Sequence, residues 1–293
     1  MEIRQLEYFI AVAEEGSFTR AAQRVHISQS GVSAQIQELE RDLGAALIDR
    51  SGRTATLTPA GEAALSQARA VLASVGGVRQ AVNDVNGLVR GKLVVGMVTA
   101  CTVTPLFDAL AAFHRSHPGV ELSLQEDNSD RLVDAVRAGT MDVALVGVAG
   151  DAPFDLESSV IISEGLVAVV PDGHPLAGKR VTTLAALAKY PILSLPAGTG
   201  VRSVYDRACL AQGRQPKVAL AASAPDAVVD LAARGLGVGI LSETMASHYD
   251  LPSVPITGIA IPALLALVWT RSPSAALREL RKHCDDAFGL LVR

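Results

Sequence analysis

The spacing of hydrophobic residues changes once along the chain, close to Gly91, and this change is the strongest constraint on the fold. Before it, apolar residues recur at steps of three and four, which is the spacing of amphipathic helices. After it, continuous apolar runs such as KLVVGMV alternate with helical stretches, which is typical of strands buried in a parallel sheet. The chain is therefore predicted to have a mainly helical N-terminal part and an α/β C-terminal part.

Residues 1–58 show the pattern of three short helices followed by a β-hairpin. Gly16 and Ser17 supply a helix stop and a helix cap, and Ser28 can cap a third helix after a short turn. The stretch ALIDRSGRTATLT alternates around a Ser-Gly pair, as a tight hairpin does. Together these elements form a winged helix-turn-helix. The residues expected on the inner helix faces are Leu6, Phe9, Ile10, Ala13, Ala21, Ala22, Val25, Val32, Ile36, Leu39 and Leu43.

A heptad pattern marks residues 59–90 as a long helix. Thr58 and Pro59 form a cap followed by a first-turn proline. Hydrophobic residues then step alternately by four and three, which is the signal for a coiled-coil pairing surface and favours a homodimer. The alternative is a long helix that packs only on its own domain. The heptad positions are Ala64, Ala68, Val71, Val75, Val78, Val82, Val85 and Val89.

Strand and helix patterns alternate through residues 91–293 and predict an α/β region of two lobes. The first lobe is expected at about 91–161 and 267–293, and the second at about 162–266. Ligands of open α/β sheets bind beyond the carboxyl ends of the strands. The cleft between the lobes is therefore the expected binding pocket.

The composition limits the classes of function. Hydrophobic residues make up 49% of the chain and charged residues 19%, which indicates a folded core rather than disorder. The net charge of -4 argues against a general nucleic-acid coat, because such binding needs cations that neutralise phosphates. Charged residues interrupt the N-terminal segment, and the apolar runs are too short to span a bilayer. We expect a soluble protein in the cytoplasm.

The sequence carries no sign of catalysis, of a cofactor or of a metal site. It has no GxSxG or HExxH motif, and GLGVG continues into a strand instead of a phosphate-binding helix. The cysteines, Cys101, Cys209 and Cys284, lack the spacing of a zinc site. His114 and His117 are spaced as ligands could be, but they have no third partner in the sequence. An enzyme is therefore not expected.

The segment SFTRAAQRVHISQSGVSAQIQELERDLGAALIDRSGRTATLTPAGEAAL resembles the DNA-binding region of the LysR-type transcriptional regulators. QEDNSDRLVDAVRAGTMDVALVG is similar to the first effector lobe of that family, and GLGVGIL matches a helix end and strand of its second lobe. The resemblance implies a homodimer or homotetramer joined by linker helices, with a C-terminal fold of the periplasmic-binding-protein type (type 2). It also implies that a small metabolite in the cleft changes how the subunits sit on DNA.

The third helix is the element expected to read DNA. Polar side chains near its start can enter a major groove, where Gln can pair with adenine and Ser with several bases. The first 60 residues hold six Arg and no Lys against eight acids, so DNA contact would depend on a few placed arginines. Relative to the family pattern, Ser30 replaces a common proline and Ala34 a longer polar residue, so base preference does not transfer. The predicted DNA-binding residues are Gln29, Ser30, Ser33, Gln37, Arg50, Arg53, Arg4 and Arg24.

Three loops are expected to form the effector site. The loop TACT leads into a helix start, where hydroxyls and free backbone N–H groups would receive an anion. The loop GTGVR contributes from the second lobe, and Arg202 favours an acidic ligand. The alternatives are that the threonines only cap helices and that Arg202 pairs with a nearby acid. The predicted effector-binding residues are Thr99, Ala100, Cys101, Thr102, Asn128, Thr199, Arg202 and Ser223.

Two other functions compete with an effector-controlled regulator. A redox-sensing regulator could use Cys101, because a helix N-terminus lowers the pKa of a thiol, whereas a buried inert thiol is the competing interpretation. A ligand-binding protein without a regulatory role is suggested by the α/β region alone. Residues 1–90 argue against the second, because a simple binding protein has no use for them.

Overall fold

A computed structural model describes residues 1–52, 54–85, 89–99 and 103–289, with the side chains of 79–81 and 83–85 excepted. The chain divides into two compact units. The first consists of Met1–Leu88 with Ala138–Thr140, and the second of Val89–Arg137 with Met141–Arg293.

Three helices open the first unit, and local caps set their ends. They are α1 (Ile3–Glu15), α2 (Phe18–Arg24) and α3 (Gln29–Leu43). Gly16 ends α1 with a left-handed φ of 59°, and the hydroxyl of Ser17 then accepts the backbone N–H of Arg20 to cap α2. The hydroxyl of Ser28 caps α3 by accepting the N–H of Gly31 at 3.1 Å. The helix-turn-helix prediction is confirmed.

A short hairpin and one long helix complete this unit. They are β1 (Ile48–Asp49), the antiparallel β2 (Thr56–Leu57) and α4 (Pro59–Val85). Thr58 fastens the start of α4, because its hydroxyl donates to the carbonyl of Ala46 at 2.6 Å and accepts the N–H of Gly61 at 3.0 Å. A Cβ at Gly61 would lie 2.1 Å from the carbonyl oxygen of Leu47. Only glycine therefore allows α4 to pass so close to the hairpin.

Most of the predicted inner-face residues form the core of the first unit. Phe9, Val32, Ile36 and Leu39 are fully buried. The prediction for Leu43 is wrong, because α3 ends at this residue and its side chain remains exposed where the chain turns away.

The predicted heptad seam divides into two parts. Ala68 is buried and Ala64 packs beside it against the core of the first unit, so these positions serve their own domain. Of the next positions Val71 (40%), Val78 (67%) and Val82 (58%) are exposed, whereas Val75 is half-buried. The seam does not extend to Val89, which lies beyond α4 and packs against the core of the second unit. The side chain of Val85 lies outside the described residues.

Helices and strands alternate through the second unit. In chain order they are β3 (Gly91–Val98), α5 (Thr104–Ser116), β4 (Val120–Asp127), α6 (Ser129–Arg137), β5 (Val143–Ala149), β6 (Glu157–Glu164), β7 (Leu166–Val169), β8 (Thr182–Thr183), α7 (Leu184–Leu187), β9 (Ile192–Ser194), α8 (Gly200–Ala211), β10 (Leu220–Ala221), α9 (Pro225–Ala233), β11 (Val238–Ser242), α10 (Glu243–Ala246), β12 (Ser253–Thr257), β13 (Ala263–Trp269) and α11 (Ala275–Phe288).

These strands form two mixed sheets, one in each lobe. The first has the order β4-β3-β5-β13-β6, and the second has the order β10-β9-β11-β7-β12-β8. In the first sheet β3 is parallel to β4 and β5, whereas β13 is antiparallel to β5 and β6. The chain passes to the second sheet after β6 and returns before β13.

Helices cover both faces of the first sheet. On one face Phe113 of α5 and Leu277 of α11 pack with Leu93 and Leu145. On the other face Leu132 of α6 packs with strand residues that alternate with the first set. The second sheet has a core of its own around α8 and α9. Within the described ranges no helix combines the length and apolarity needed to cross a membrane.

Candidate DNA-binding surface and effector cavity

The polar residues of α3 divide between exposed and supported positions. Gln29, Ser30 and Gln37 are exposed, whereas Ser33 is half-buried. The hydroxyl of Ser30 lies 3.2 Å from that of Ser28, the residue that caps the helix. The arrangement leaves these four polar side chains outside the buried face of Val32, Ile36 and Leu39, where a helix that enters a groove needs them.

Arg50 connects the wing to both helices of the helix-turn-helix. Its Nη1 donates to the hydroxyl of Ser33 at 3.1 Å, and its Nη2 donates to Oε2 of Glu40 at 3.1 Å. The guanidinium also stands 4.9 Å from the ring centroid of Phe18. A predicted phosphate contact therefore also supports a predicted base contact.

Glu40 is a functional support that the sequence analysis missed. Its Oε1 accepts the backbone N–H groups of Leu47 at 2.8 Å and Ile48 at 3.1 Å, while Oε2 holds Arg50. One carboxylate thus fixes the wing against α3. The sequence offered no signal for this role, because an acid on a helix surface is ordinarily solvated.

Arg24 is held by acids of the first helix. Its Nη1 lies 2.7 Å from Glu14 and 3.5 Å from Glu15, and Arg69 of α4 pairs with Glu14 at 2.7 Å. Burial alone would raise the pKa of Glu14, but hydrogen bonds from Arg69 and Arg24 outweigh it and lower this pKa below its ordinary value. Glu14 thereby joins α1, α2 and α4.

The two remaining predicted phosphate contacts are Arg4 and Arg53. Arg4 is exposed on the first turn of α1. Arg53 lies outside the described residues.

A cavity of about 320 Å³ lies between the two sheets of the second unit. Its lining includes Val98 and Thr99 at the end of β3, Glu164 at the end of β6, and residues that follow β9, β10 and β11. β13 runs antiparallel, so its first residues reach the same edge. The cavity therefore occupies the position beyond the carboxyl ends of the strands.

The predicted effector residues fall in three groups. Thr99, Thr199 and Ser223 line the cavity. Asn128 and Arg202 are not among the described lining residues, because Oδ1 of Asn128 accepts the N–H of Arg131 at 3.0 Å and Nε of Arg202 donates to Asp206 at 2.8 Å. Arg202 was the residue that favoured an acidic ligand, and its pairing with Asp206 removes this support. The third group, Ala100, Cys101 and Thr102, lies outside the described residues.

Two glycines bring the lobes together beside the cavity. A Cβ at Gly200, the first residue of α8, would lie 2.5 Å from the carbonyl carbon of Gly147 in β5. Ser129 strengthens this contact, because its hydroxyl accepts the N–H of Gly147 and its own N–H donates to the carbonyl of Gly198, both at 3.0 Å. A glycine inside the apolar run VALVGVA was the available signal, since such glycines often mark close backbone approach.

Glu164 and His248 are the ionisable side chains of the lining that the sequence analysis missed, together with Tyr249. Oε2 of Glu164 accepts both the N–H of Thr244 at 2.9 Å and its hydroxyl at 2.6 Å. Nδ1 of His248 lies 2.8 Å from the carbonyl oxygen of the same threonine. The contact of Glu164 joins residues 80 apart in the chain, so no local pattern could have indicated it, whereas His248 contacts a residue only four positions away.

Two of the three cysteines, Cys209 and Cys284, are free and buried. Burial raises the pKa of Cys209, and it raises the pKa of Cys284 to about 12. Since a thiolate is the reactive form, neither suits a redox sensor. Cys101 lies outside the described residues, and the redox alternative that depends on it stays a hypothesis.

Family models match both parts of the chain. The model described as "Bacterial regulatory helix-turn-helix protein, lysR family" matches residues 3–62. The model described as "LysR substrate binding domain" matches residues 86–289.

Similar proteins cover nearly the whole chain. The HTH-type transcriptional regulator ShiR of Corynebacterium glutamicum (strain R) is 36% identical over 284 residues, 95% of this chain and 96% of ShiR. The RuBisCO operon transcriptional regulator of Allochromatium vinosum is 32% identical over 300 residues, 97% and 98% of the two chains. Full-length CbnR in complex with its target DNA superposes with a TM-score of 0.62 at 27% identity and covers 98% of this chain and 100% of CbnR's. The chain therefore belongs to the LysR family of DNA-binding transcriptional regulators, with an N-terminal helix-turn-helix and a C-terminal effector-binding domain.

Proposed function

We propose that this regulator reads its operator with the polar face of α3. The observation that carries the proposal is that Gln29, Ser30 and Gln37 are exposed on a helix whose opposite face is buried. Ser33 lies on the same polar side, where Arg50 fixes its hydroxyl. Such a helix can enter a major groove and present amide and hydroxyl groups to base edges while its apolar face stays packed.

The arginines near this face are proposed to position the unit on the DNA backbone. Arg50 and Arg53 belong to the wing, Arg4 is exposed on α1, and Arg24 keeps an exposed surface while it is bonded to Glu14. Contacts to phosphates set the position and orientation of a protein on the duplex without reading sequence. A few such contacts suit a unit that is not basic overall.

We infer that the effector binds in the 320 Å³ cavity, where Thr99, Thr199 and Ser223 would contact it. A ligand at this place touches elements of both lobes, so it can favour one arrangement of the lobes over another. Residues 100–102 are included because they follow the lining residue Thr99 in the sequence. Asn128 and Arg202 are proposed only as supports of the loops that carry the lining.

The division of the chain into functional domains is proposed as 1–58 for DNA binding, 59–90 for the linker helix and 91–293 for effector binding. Its support is that the helix-turn-helix with its wing precedes α4, and that both sheets follow Gly91. Within the last domain, sheet membership supports a first lobe near 91–161 with 267–293 and a second lobe near 162–266.

Self-association is proposed to use the exposed part of α4. Val71, Val78 and Val82 form an apolar stripe at heptad spacing, and a second copy of the helix would cover it. This gives a homodimer, or a homotetramer if the effector domains also pair. A site of action in the cytoplasm and the lack of a catalytic role are proposed from membership of this regulator family.

The DNA-reading proposal is tested by a gel-shift assay with the DNA that flanks the protein's own gene. The double variant Gln29→Ala, Ser33→Ala should bind this DNA at least tenfold more weakly than the wild type, because each lost base contact costs about 1–3 kcal/mol. Gln215→Ala, an exposed substitution in the second unit, is the matched control and should bind as the wild type does. Undiminished binding by the double variant would contradict the assignment of α3.

A further inference from the structure

The charges that line the effector cavity indicate which chemical class of ligand it accepts. Among the lining residues that the structure describes there is no lysine and no arginine, whereas Glu164 and His248 are both present. Residues 100–102 of the adjoining loop are Ala, Cys and Thr, so they add no cation. A ligand carboxylate would therefore meet a carboxylate of the protein and no cationic side chain to neutralise it.

The arginines nearest to the cavity in sequence have partners elsewhere. Nε of Arg202 donates to both carboxylate oxygens of Asp206, at 2.8 and 2.9 Å. Nη1 of Arg207 donates to the carbonyl oxygen of Ala149 at 2.6 Å. Asp206 already neutralises the charge of Arg202, and neither arginine is among the described lining residues of the cavity.

Glu164 in the cavity is hydrogen-bonded through one carboxylate oxygen, and its other oxygen can still accept a hydrogen bond. Both described contacts of Glu164 fall on Oε2, where the N–H and hydroxyl of Thr244 donate. Oε1 can therefore accept from a ligand, since each carboxylate oxygen has two lone pairs. The two hydrogen bonds from Thr244 already fix the carboxylate, so the Glu164 side chain loses less conformational entropy when a ligand binds.

His248, which is bonded to the same threonine, has a second ring nitrogen that can accept a hydrogen bond. The carbonyl oxygen of Thr244 can only accept, so Nδ1 of His248 carries the proton in this contact. In the neutral ring Nε2 is then an acceptor. Glu164 and His248 thus both offer acceptor atoms, which suits a ligand group with several N–H donors.

The rest of the cavity is mainly apolar. Val98, Ile162, Leu195, Val201 and Leu264 line it, and together they would bury a hydrocarbon body. At the start of α8 the free N–H groups of a helix terminus supply hydrogen-bond donors without a full positive charge. They can donate to a neutral or an anionic oxygen of the ligand, and with about half a unit charge they attract an anion more weakly than a cationic side chain does.

We propose that the effector of this protein is a small amine with an apolar body, whose ammonium group donates to Glu164, and that carboxylate metabolites bind the cavity poorly. The inference rests on the proposed function of the cavity as the effector site. The ammonium has three donors on a compact cation, and it gains both an opposite charge and hydrogen-bond acceptors at this end of the cavity.

Matched probes of one carbon skeleton test the class of ligand. The full-length protein is titrated by calorimetry at pH 7.5 with 2-phenylethylamine, 2-phenylethanol and phenylacetate, and with hexylamine, hexan-1-ol and hexanoate. In each set the amine should bind at least tenfold more tightly than the carboxylate, with the alcohol between them. Equal or tighter binding of the carboxylates would overturn the proposal, and so would a lack of binding by both amines at about 10 mM, the weak end of specific affinities.

Two variants show whether Glu164 is responsible. Glu164→Gln keeps the shape of the side chain and removes its charge, so it should weaken binding of the amines at least tenfold. Glu157→Gln, an exposed acid at the other end of β6, is the matched control and should bind the amines as the wild type does. Amine binding that is unchanged in Glu164→Gln would overturn the proposal.

A gel-shift assay with each bound probe separates failure of the ligand class from failure of the proposed function. If carboxylates alter the DNA complex and Ser223→Trp, which fills the cavity, abolishes that effect, the cavity is the effector site but the ligand class is wrong. If amines bind through Glu164 and the DNA complex does not change, the cavity recognises amines but is not the effector site. Amines that bind through Glu164 and alter the DNA complex would support both.

Discussion

The DNA-binding unit and the effector cavity use acidic side chains in opposite ways. In the first unit Glu40 and Glu14 are bonded to arginines and to backbone, and they hold helices and wing together. In the cavity Glu164 is bonded to Thr244, and no described lining residue is a cationic partner. Carboxylates in the first unit are part of the framework, whereas the one in the cavity remains available to a ligand.

The framework around the cavity includes a close backbone contact between the lobes. Gly147 and Gly200 allow β5 and α8 to meet at a distance that no side chain permits, and Ser129 bonds this junction. The difference indicates that ion pairs suit short helices that meet at the surface. Close backbone packing suits a junction that must leave space for a ligand beside it.

The largest effect is expected from Gly200→Ala, which attacks the backbone junction. The new Cβ would lie 2.5 Å from the carbonyl carbon of Gly147, so the lobes must separate locally. We expect a loss of about 3 kcal/mol of unfolding free energy, as for overpacked cores, although alanine favours a helix. Urea unfolding of the full-length protein measures it.

Gly178→Ala is the matched control for this variant, because a Cβ at that glycine meets no atom within 4 Å. It should leave the free energy of unfolding unchanged within about 0.5 kcal/mol. Wild-type stability of Gly200→Ala would show that the junction is not close-packed in solution.

A smaller effect is expected from Glu40→Ala, which removes an ionic clamp. The N–H groups of Leu47 and Ile48 would lose their acceptor, and Arg50 would lose its anchor. The expected cost is about 2 kcal/mol, with weaker operator binding because the wing and Ser33 are no longer fixed. Thermal unfolding and a gel-shift assay measure the two effects.

Glu38→Ala removes an exposed acid from the same helix and serves as the control. If both variants unfold at the same temperature, Glu40 does not act as a clamp.

The smallest effect is expected from Glu14→Gln, and it should depend on pH. The pKa of Glu14 is lowered in the folded protein, so its bonds to Arg69 and Arg24 stabilise the fold above the ordinary carboxyl pKa of 4.5. This stability is lost as the pH falls through the lowered pKa. We expect the wild type to exceed the variant by about 1 kcal/mol at pH 7, and this difference should shrink as the pH falls below 4.5.

Melting temperatures measured between pH 3 and 7 test this expectation, with Glu7→Gln, an exposed acid of α1, as the control. If the difference in melting temperature between wild type and Glu14→Gln stays constant over this range, the stabilisation by Glu14 does not depend on its ionisation.

Strands without a clear hydrophobic signal were the part of the fold that sequence patterns could not indicate. β6 is formed by ESSVIISE, whose polar residues break the apolar run, and β12 is formed by SVPIT, whose proline normally argues against a strand. The apolar stretch KVALAA forms only the two-residue strand β10. Each depends on the neighbouring strand for its pairing, which single-sequence patterns do not contain.

In the candidate sites, local sequence patterns indicated some residue positions, whereas contacts between distant elements decided others. The polar face of α3 was predictable, because helix period and capping are local properties of the chain. The place of Thr99, Thr199 and Ser223 at one cavity followed from their positions after strands. The partner of Arg202 could not be chosen from sequence, since a helical neighbour and a cleft ligand were both available to it.

The sequence by itself determined the helix-turn-helix, the wing, the long helix α4 and the two-lobed α/β region, because caps, periods and glycine stops act over a few residues. Only the tertiary structure decided which charges are paired. Thr244 meets Glu164 across 80 residues of chain, and Arg50 meets Ser33 across 17. Such contacts form between elements that packing brings together, so the chemistry of the cavity became visible only when the strands and helices were in place.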